Sequence, residues 1–414
     1  MFDQLFNCPE TVALHSCAPL LKQRLEFLQH CAASGSPRST LRRKAHELLV
    51  IVDQFNLQLE GFISVDGIEA AARRWAYRQP SHYKLKEAEK TRIHFVRVTR
   101  RWIAFLNRLQ PPPTPPYLHL VDEFAAHMEH DKGLSPMTVR SECGHIKEFL
   151  DRYWTNDHVL SNISTRHIDD AIAAKGNRDG CTRGSIQFYA ASLRSFFRYA
   201  EMKHWCPPGL AEAIMAPRVY QHELIPAGPP WNIVERLLAS TEGNRPVDIR
   251  DRAILMLFAT YGLRSEEVQL LQLENLDWEK EVIHVLRPKP RRVQHFPLVP
   301  SVGESILRYL TEIRLQRPSR HVFLTIKAPY SPLSRSALWK AVSDRLRPLN
   351  VSIRHYGPHS LRHACATRLL AEGFSMKEIA DYLGHRDLDS TGVYAKVDMA
   401  GLREVAEFEL RGLL

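Results

Sequence analysis

Along most of this chain the apolar positions recur every three or four residues, the spacing of one face of an α-helix. In "TPPYLHLVDEFAAHMEH", Leu120, Val121, Phe124 and Met128 fall on one stripe. "LSPMTVRSECGHIKEFLDRYW" opens with Ser135, whose hydroxyl can cap a helix, and Pro136, whose fixed φ suits the first helical position. Val139, Cys143, Ile146, Phe149, Leu150 and Tyr153 then mark its inner side. A third helix is expected around "TRHIDDAIAAK". A fourth covers "GSIQFYAASLRSFFRYAEMK", burying Ile186, Tyr189, Leu193, Phe196 and Phe197. Further on, "VDIRDRAILMLFATYGL" predicts an apolar helix that Gly262 can terminate. Helices follow at "SVGESILRYLTEIRL", "SRSALWKAVSDRLRPL", "HSLRHACATRLLAEG" and "SMKEIADYLGH". One stretch has a different period. In "EVIHVLRPKPRRVQHFPLV", Val282, His284 and Leu286 alternate with Ile283, Val285 and Arg287, and Phe296 and Leu298 resume beyond a basic turn. That period of two predicts strand, turn and strand. The expected fold is mainly α with a small antiparallel β-sheet.

Prolines punctuate the pattern twice. "QPPPTPPY" (110–117) cannot continue a helix and predicts a stiff, extended linker. "APRVYQHELIPAGPPW" (216–231) breaks the pattern again. Three regions result: a helical one at 1–110, a small all-helical domain at 117–215, and a mixed α+β domain at 228–414. A length of 414 residues is too great for one core and agrees with such a division. With 44% hydrophobic and 25% charged residues, general disorder is excluded.

Charge narrows the class of partner. A formal net charge of +10 and a pI of about 9.3 suit a polyanion, nucleic acid first. From Arg73 to Arg108 there are eleven Lys/Arg residues against two acids, Glu87 and Glu89, with Trp75, Tyr77, Tyr83, Phe95, Trp102 and Phe105 interleaved. That mixture suits phosphate contact with base or sugar packing, so region 1–110 is a candidate for DNA or partner binding. Its plain alternative is a solvated basic face over a small aromatic core. In 117–215 the candidate DNA contacts are Thr138, Arg140, Lys147, Arg183 and Arg194, with Arg194 and Arg198 expected on the exposed side of their helix. Seven scattered cysteines with no CxxC exclude a disulfide framework and a cysteine-rich zinc site. The N-terminus lacks the basic start and long apolar run of a signal peptide, and no stretch is apolar enough to span a membrane, so a reduced, cytoplasmic protein is expected.

Four patches in 228–414 could carry chemistry. "TYGLRSEEVQLLQL" holds Arg264 with Glu267 one helical turn on. "RPKPRR" holds Lys289 between prolines. "GPHSLRH" places His359 and Arg362 on one face at a helix start. "HRDLDSTGVYAKV" holds His385 and Tyr394. Each alone has a bland reading: a surface ion pair, a turn lysine, a capping histidine, a packing aromatic. His359 and His363 are spaced like two metal ligands, but this is not HExxH, and no metal is expected.

Taken in order, "GLRSEEV", the basic turn, "PHSLRHACATRLLAEG" and "IADYLGHRDLDSTGVYAKV" resemble the boxes of the tyrosine recombinase (phage integrase) family. The resemblance covers 228–414 fully and 117–215 more loosely, as the family's helical core-binding domain; it does not reach 1–110. It implies that Arg264, Lys289, His359, Arg362, His385 and Tyr394 are catalytic, with Glu267 orienting its neighbours. The family usually has glycines around the lysine; here prolines stand there, and Arg287, Arg291 or Arg292 are alternatives for its role.

The resemblance implies strand cutting and rejoining through a covalent 3′-phosphotyrosyl link, without metal, ATP or other cofactor, for integration, excision or transposition of a mobile element. It further implies double-stranded DNA with a specific core site as substrate, a tetramer in the synapse, and companion recombinases among the partners. The residue types fit that chemistry. Arginine forks match a phosphate and stay charged, histidines move protons near neutrality, and a phenol needs a cationic pocket to act as nucleophile. Two readings compete: a recombinase-derived DNA-binding accessory protein without cleavage activity, and a type IB topoisomerase-like enzyme with the same chemistry but no synapsis. The last residues, "MAGLREVAEFELRGLL", predict an amphipathic helix that docks on a neighbouring subunit or packs on its own domain.

Overall fold

The computed structural model describes residues 1–55, 61–77, 85–154, 160–178, 181–219, 228–287 and 292–384. The chain forms two compact units, Met1–Gln110 with Leu224–Leu414, and Pro111–Glu223. Among the described residues no helix is long and apolar enough to cross a membrane.

The first part of unit one contains α1 (Phe2–Leu5), α2 (Pro9–Cys17), α3 (Leu21–Ala33), α4 (Arg38–Phe55), α5 (Val65–Ala76) and α6 (Leu85–Phe105). Its core joins Phe27 and Leu28 of α3, Leu48 and Ile51 of α4, and Phe95, Val98, Trp102 and Ile103 of α6. The expected interleaving of aromatic and basic residues therefore resolves mostly in favour of packing. Phe95 and Trp102 lie inside, at helical spacing, while Arg97, Arg100 and Arg101 of the same helix point outward. Tyr77 and Phe105 stay partly exposed, and Tyr83 is outside the described residues. The outward arginines, with Glu69, Arg92, Ile93 and Val96, line an open groove of about 410 Å³.

This core contains a titratable weak point. His15 is fully buried, stacked on Phe2 and Phe6 at 5.0 and 4.6 Å between ring centres, and neither of its ring nitrogens has a hydrogen-bond partner among the described residues. Burial, and then the charges of His46 and Arg24, push its pKa from 6.5 down to about 4. The unfolded chain takes up this proton near pH 6.5 and the folded chain only near 4, so the stability is full above 6.5 and is lost as the pH falls toward 4. His15→Phe is expected to flatten that slope. Thermal melts across this window check it, with wild type losing more of its melting temperature than the variant.

Unit two contains α7 (Leu118–His130), α8 (Pro136–Tyr153), α9 (Thr165–Gly176), α10 (Arg183–Met202) and α11 (Leu210–Ala213). Ser135 caps α8 by accepting from the Thr138 N–H at 3.3 Å, and Pro136 is the first helical residue, as expected. The predicted stripes are the core: Val121, Phe124, Met128, Ile146, Phe149, Leu150, Leu193, Phe196 and Phe197 are all buried. Tyr153 and Ile186 reach only partial burial. α10 starts one residue earlier than read, at Arg183, because Thr182 serves as its N-cap. Arg140, Arg183 and Arg198 are exposed, and Thr138 and Lys147 half-buried. Arg194 is half-buried rather than exposed, because its Nη2 donates to the Ile214 carbonyl at 2.6 Å and so braces the chain beyond α11.

The rest of unit one contains α12 (Trp231–Ala239), α13 (Pro246–Tyr261), α14 (Ser265–Leu270), β1 (Leu276–Asp277), β2 (Val282–Arg287), β3 (Arg292–Pro297), α15 (Pro300–Arg308), α16 (Arg335–Leu346), α17 (Pro358–Ala371) and α18 (Met376–Leu383). From Ala253 on, α13 is apolar on nearly every side because it runs through the middle, packed by α12, α15, α16 and α17. Its two buried acids, Asp248 and Asp251, both receive hydrogen bonds from Arg345 of α16, at 2.8 and 3.0 Å. The helix expected over 301–315 becomes α15 followed by a wider π-type turn, Tyr309–Arg314. The sheet is antiparallel in the order β1-β2-β3, with Ile283 opposite Phe296 and Arg287 opposite Arg292. Ile283, Val285 and Arg287 face the core, as the period of two requires. β1, two residues long, carries no readable pattern.

Candidate active site

Three chain segments converge on the C-terminal end of a fourth, α18. The first is the end of α13. Gly262 caps it at φ +58°, and a Cβ there would lie 2.5 Å from Cδ2 of Leu383, so only glycine lets the chain turn this close to α18. The turn delivers Arg264 to the N-cap of α14. Its backbone N–H donates to Oε2 of Glu267 at 2.7 Å and its Nη1 to Oε1 at 3.0 Å. Its side chain stays 42% exposed.

Glu267 itself is fully buried, and a buried carboxylate needs partners. Its second partner is Arg287, whose Nη1 donates to Oε2 at 2.5 Å. Arg287 ends β2 and is only 2% exposed. Desolvation pulls its pKa down while the Glu267 carboxylate opposes the shift. Its Nε donates to Oε1 of Gln294 on β3 at 2.9 Å, and its Nη2 to the Tyr382 carbonyl at 3.4 Å. Arg287, weighed from the sequence as a stand-in for Lys289, is thus held beneath Arg264 rather than on the turn.

The third segment is the start of α17, with Pro358 in its first turn. Arg362 is buried, donating from Nη1 to the Gly262 carbonyl at 2.7 Å and from Nη2 to the Leu383 carbonyl at 2.8 Å. His359, one turn earlier, keeps a solvent-exposed edge and meets His363 edge to face at 4.3 Å between ring centres. Desolvation, then the charges of Arg362, His355 and Arg264, holds the His359 pKa below its usual value. Burial and the same cationic neighbourhood push His363 down to about 4. Both imidazoles are therefore neutral at pH 7.

The fourth segment is α18, where Arg264, Arg287 and Arg362 meet. Its last carbonyls carry the negative end of the helix dipole, and that of Asp381 already accepts from the Gly384 N–H at 3.1 Å. Gln294 Nε2 donates to the carbonyls of Asp381 and Tyr382, each at 3.0 Å. Arg287 adds to Tyr382, Arg362 takes Leu383, and Arg264 Nη2 takes Gly384 at 3.2 Å. Three guanidinium groups from separate boxes so gather on the three residues that precede His385.

The structure brings Arg264, Glu267, Arg362 and His359 together. Lys289, Arg291, His385, Tyr394 and the expected C-terminal helix lie outside the described residues. Arg292 is exposed on β3. Sequence reasoning missed the roles of Arg287 and Gln294. One signal for Arg287 was present: a charged residue on the same strand face as Ile283 and Val285 implies a buried partner.

Known proteins resemble this chain in sequence and in fold. Residues 232–400 match the profile of the phage integrase family, and residues 121–204 that of the phage integrase N-terminal SAM-like domain. The integrase/recombinase y4rA of Sinorhizobium fredii is 33% identical over 288 residues, 69% of each chain. Tyrosine recombinase XerD of Listeria innocua is 28% identical over 291 residues, 69% of this chain and 96% of that protein. The fold resembles that of a lambda integrase dimer bound to a COC′ core site, with a TM-score of 0.53 at 15% identity, over 73% of this chain and 86% of that one.

Proposed function

The chain belongs to the phage integrase family of tyrosine recombinases, and from that premise we propose that it is a site-specific recombinase that cuts and rejoins DNA through a 3′-phosphotyrosyl link at Tyr394. The observation that carries the proposal is the gathering of Arg264, Arg287 and Arg362 at the end of α18, just ahead of His385 and Tyr394.

In this reading the Tyr394 hydroxyl oxygen attacks the scissile phosphorus and the bond to the 5′-oxygen breaks. His359, neutral at pH 7, accepts the phenol's proton. Lys289 gives a proton to the leaving 5′-oxygen. Charge on the non-bridging oxygens is met by Arg264 from the exposed side and Arg362 from below, with His385 donating a hydrogen bond. A fixed cationic site costs no reorganisation as the charge develops, and no metal is needed. The covalent link preserves the phosphodiester's energy, so a partner 5′-hydroxyl reverses the step without ATP.

The substrate in this proposal is double-stranded DNA with a core site, acted on by a tetramer in the synapse, in integration, excision or transposition of a mobile element. Residues 117–215 serve as the core-binding domain, with Arg140 and Arg183 on its surface for phosphates. Residues 1–110 offer the outward face of α6, Arg97, Arg100 and Arg101, to DNA or to a companion recombinase.

A nicked duplex carrying the core site tests the reading, because the released strand diffuses away and traps the link. The expected result is a protein–DNA band that survives denaturation. Tight binding with no such band on a verified site contradicts catalysis and leaves a DNA-binding accessory protein.

A further inference from the structure

We infer that Arg287 and Gln294 are a pair of positioning residues that lock the lysine turn to the helix end preceding the nucleophile; the inference rests on the recombinase reading of the same site. Both residues flank the turn that carries Lys289, one on each strand, and they bond each other at 2.9 Å across its base. Both also bond α18: Gln294 to the carbonyls of Asp381 and Tyr382 at 3.0 Å, Arg287 to Tyr382 at 3.4 Å. The two strands that hold the turn are therefore tied to the helix that runs into His385.

Arg287 extends the tie to a third segment. Its Nη1 holds Glu267, and Glu267 holds both the backbone and the guanidinium of Arg264. One buried cation thus connects the Arg264 segment, the strand pair β2–β3 and α18. Packing alone does not call for a cation here. An apolar residue would continue the Ile283 and Val285 face, and replacing buried ion pairs by apolar groups is often neutral or stabilising.

Gly384 records the closeness of the lock. It has φ +64°, and a Cβ placed on it would come 2.8 Å from Arg287 Nε and 3.0 Å from Gln294 Oε1. The pair presses on the last residue before His385. In the proposed reaction the lysine must protonate the leaving oxygen as the tyrosine attacks, so a tie between the strands on either side of Lys289 and the helix end keeps the two groups in register.

The test uses the full-length protein as wild type, Gln294→Leu, Arg287→Met and Arg287→Lys. Covalent capture is timed in a single turnover at saturating nicked duplex, alongside duplex affinity and thermal melts. It is repeated on a duplex whose bridging 5′-oxygen is sulfur. The leaving thiolate has a conjugate-acid pKa of about 8.5 and needs no proton from Lys289. Gln294→Leu and Arg287→Met are expected to slow capture on ordinary DNA on the order of 10- to 100-fold with affinity unchanged. Sulfur restores most of the rate to Gln294→Leu but only part to Arg287→Met, which also loosens Glu267 and Arg264. Arg287→Lys, keeping one donor for Glu267, falls between Arg287→Met and wild type. Capture at the wild-type rate, or equal loss on both substrates for Gln294→Leu, overturns the inference; should Arg287→Met fail to fold, Gln294→Leu decides alone. A wild type that links to neither substrate removes the recombinase reading itself, a failure distinct from these.

Discussion

Tyr394→Phe is expected to abolish covalent capture of DNA, by on the order of 10⁴-fold or more, while duplex binding stays at the wild-type level. The substitution keeps the ring and removes only the hydroxyl, so the arginine cluster proposed to meet the phosphate is untouched. Water is a poor substitute nucleophile unless a site holds it in line with the leaving oxygen. Denaturing gels on the nicked duplex measure the link and gel shifts measure binding. A band that persists in the variant moves the nucleophile elsewhere.

Arg362 is the second position where a large effect is expected, and there catalysis and stability fall together. Its guanidinium is buried and holds the carbonyls of Gly262 and Leu383 at 2.7 and 2.8 Å. On the recombinase reading, Arg362→Ala removes positive charge from beneath the phosphate, an expected loss on the order of 10²- to 10³-fold in capture rate. It also leaves two buried acceptors without these donors, at a cost of about 1–3 kcal/mol each. Arg362→Lys keeps the charge but cannot reach both carbonyls, since an ammonium lacks the planar fork. Its capture rate is expected to stay closer to that of Arg362→Ala than to that of wild type. Arg264→Ala is the contrast. That side chain is 42% exposed, so its removal is expected to slow capture with a smaller change in melting temperature. Capture kinetics and thermal melts on the three variants separate the effects. An Arg362→Ala protein that melts like wild type contradicts the bracing role.

Much of this was legible in the chain itself, for identifiable reasons. The helices follow from apolar spacing because each buries one stripe, and Ser135, Pro136 and Gly262 sit at the ends their backbone preferences favour. β2 and β3 were legible because a half-buried strand alternates. Arg264, Glu267, His359 and Arg362 could be singled out because local boxes in a fixed order carry more information than single residues. The misreadings also have physical causes. Phe95 and Trp102 looked equally suited to stacking on bases and to a core, and helical phase alone turned them inward. Arg194 appeared exposed on its helix, but a carbonyl brought near by α11 claims it. The tie from Arg287 through Gln294 to α18 could not be read, because its acceptors are backbone carbonyls, which have no side-chain signature.

The central claim is that the arginine cluster at the end of α18 serves a tyrosine that becomes joined to DNA. Mass analysis of the peptide left on DNA after proteolysis of the captured complex tests it most directly. The account predicts a peptide from the segment following α18 with a 3′-phosphate ester on Tyr394. A phosphate ester on any other residue, or captured DNA with no peptide attached, contradicts it.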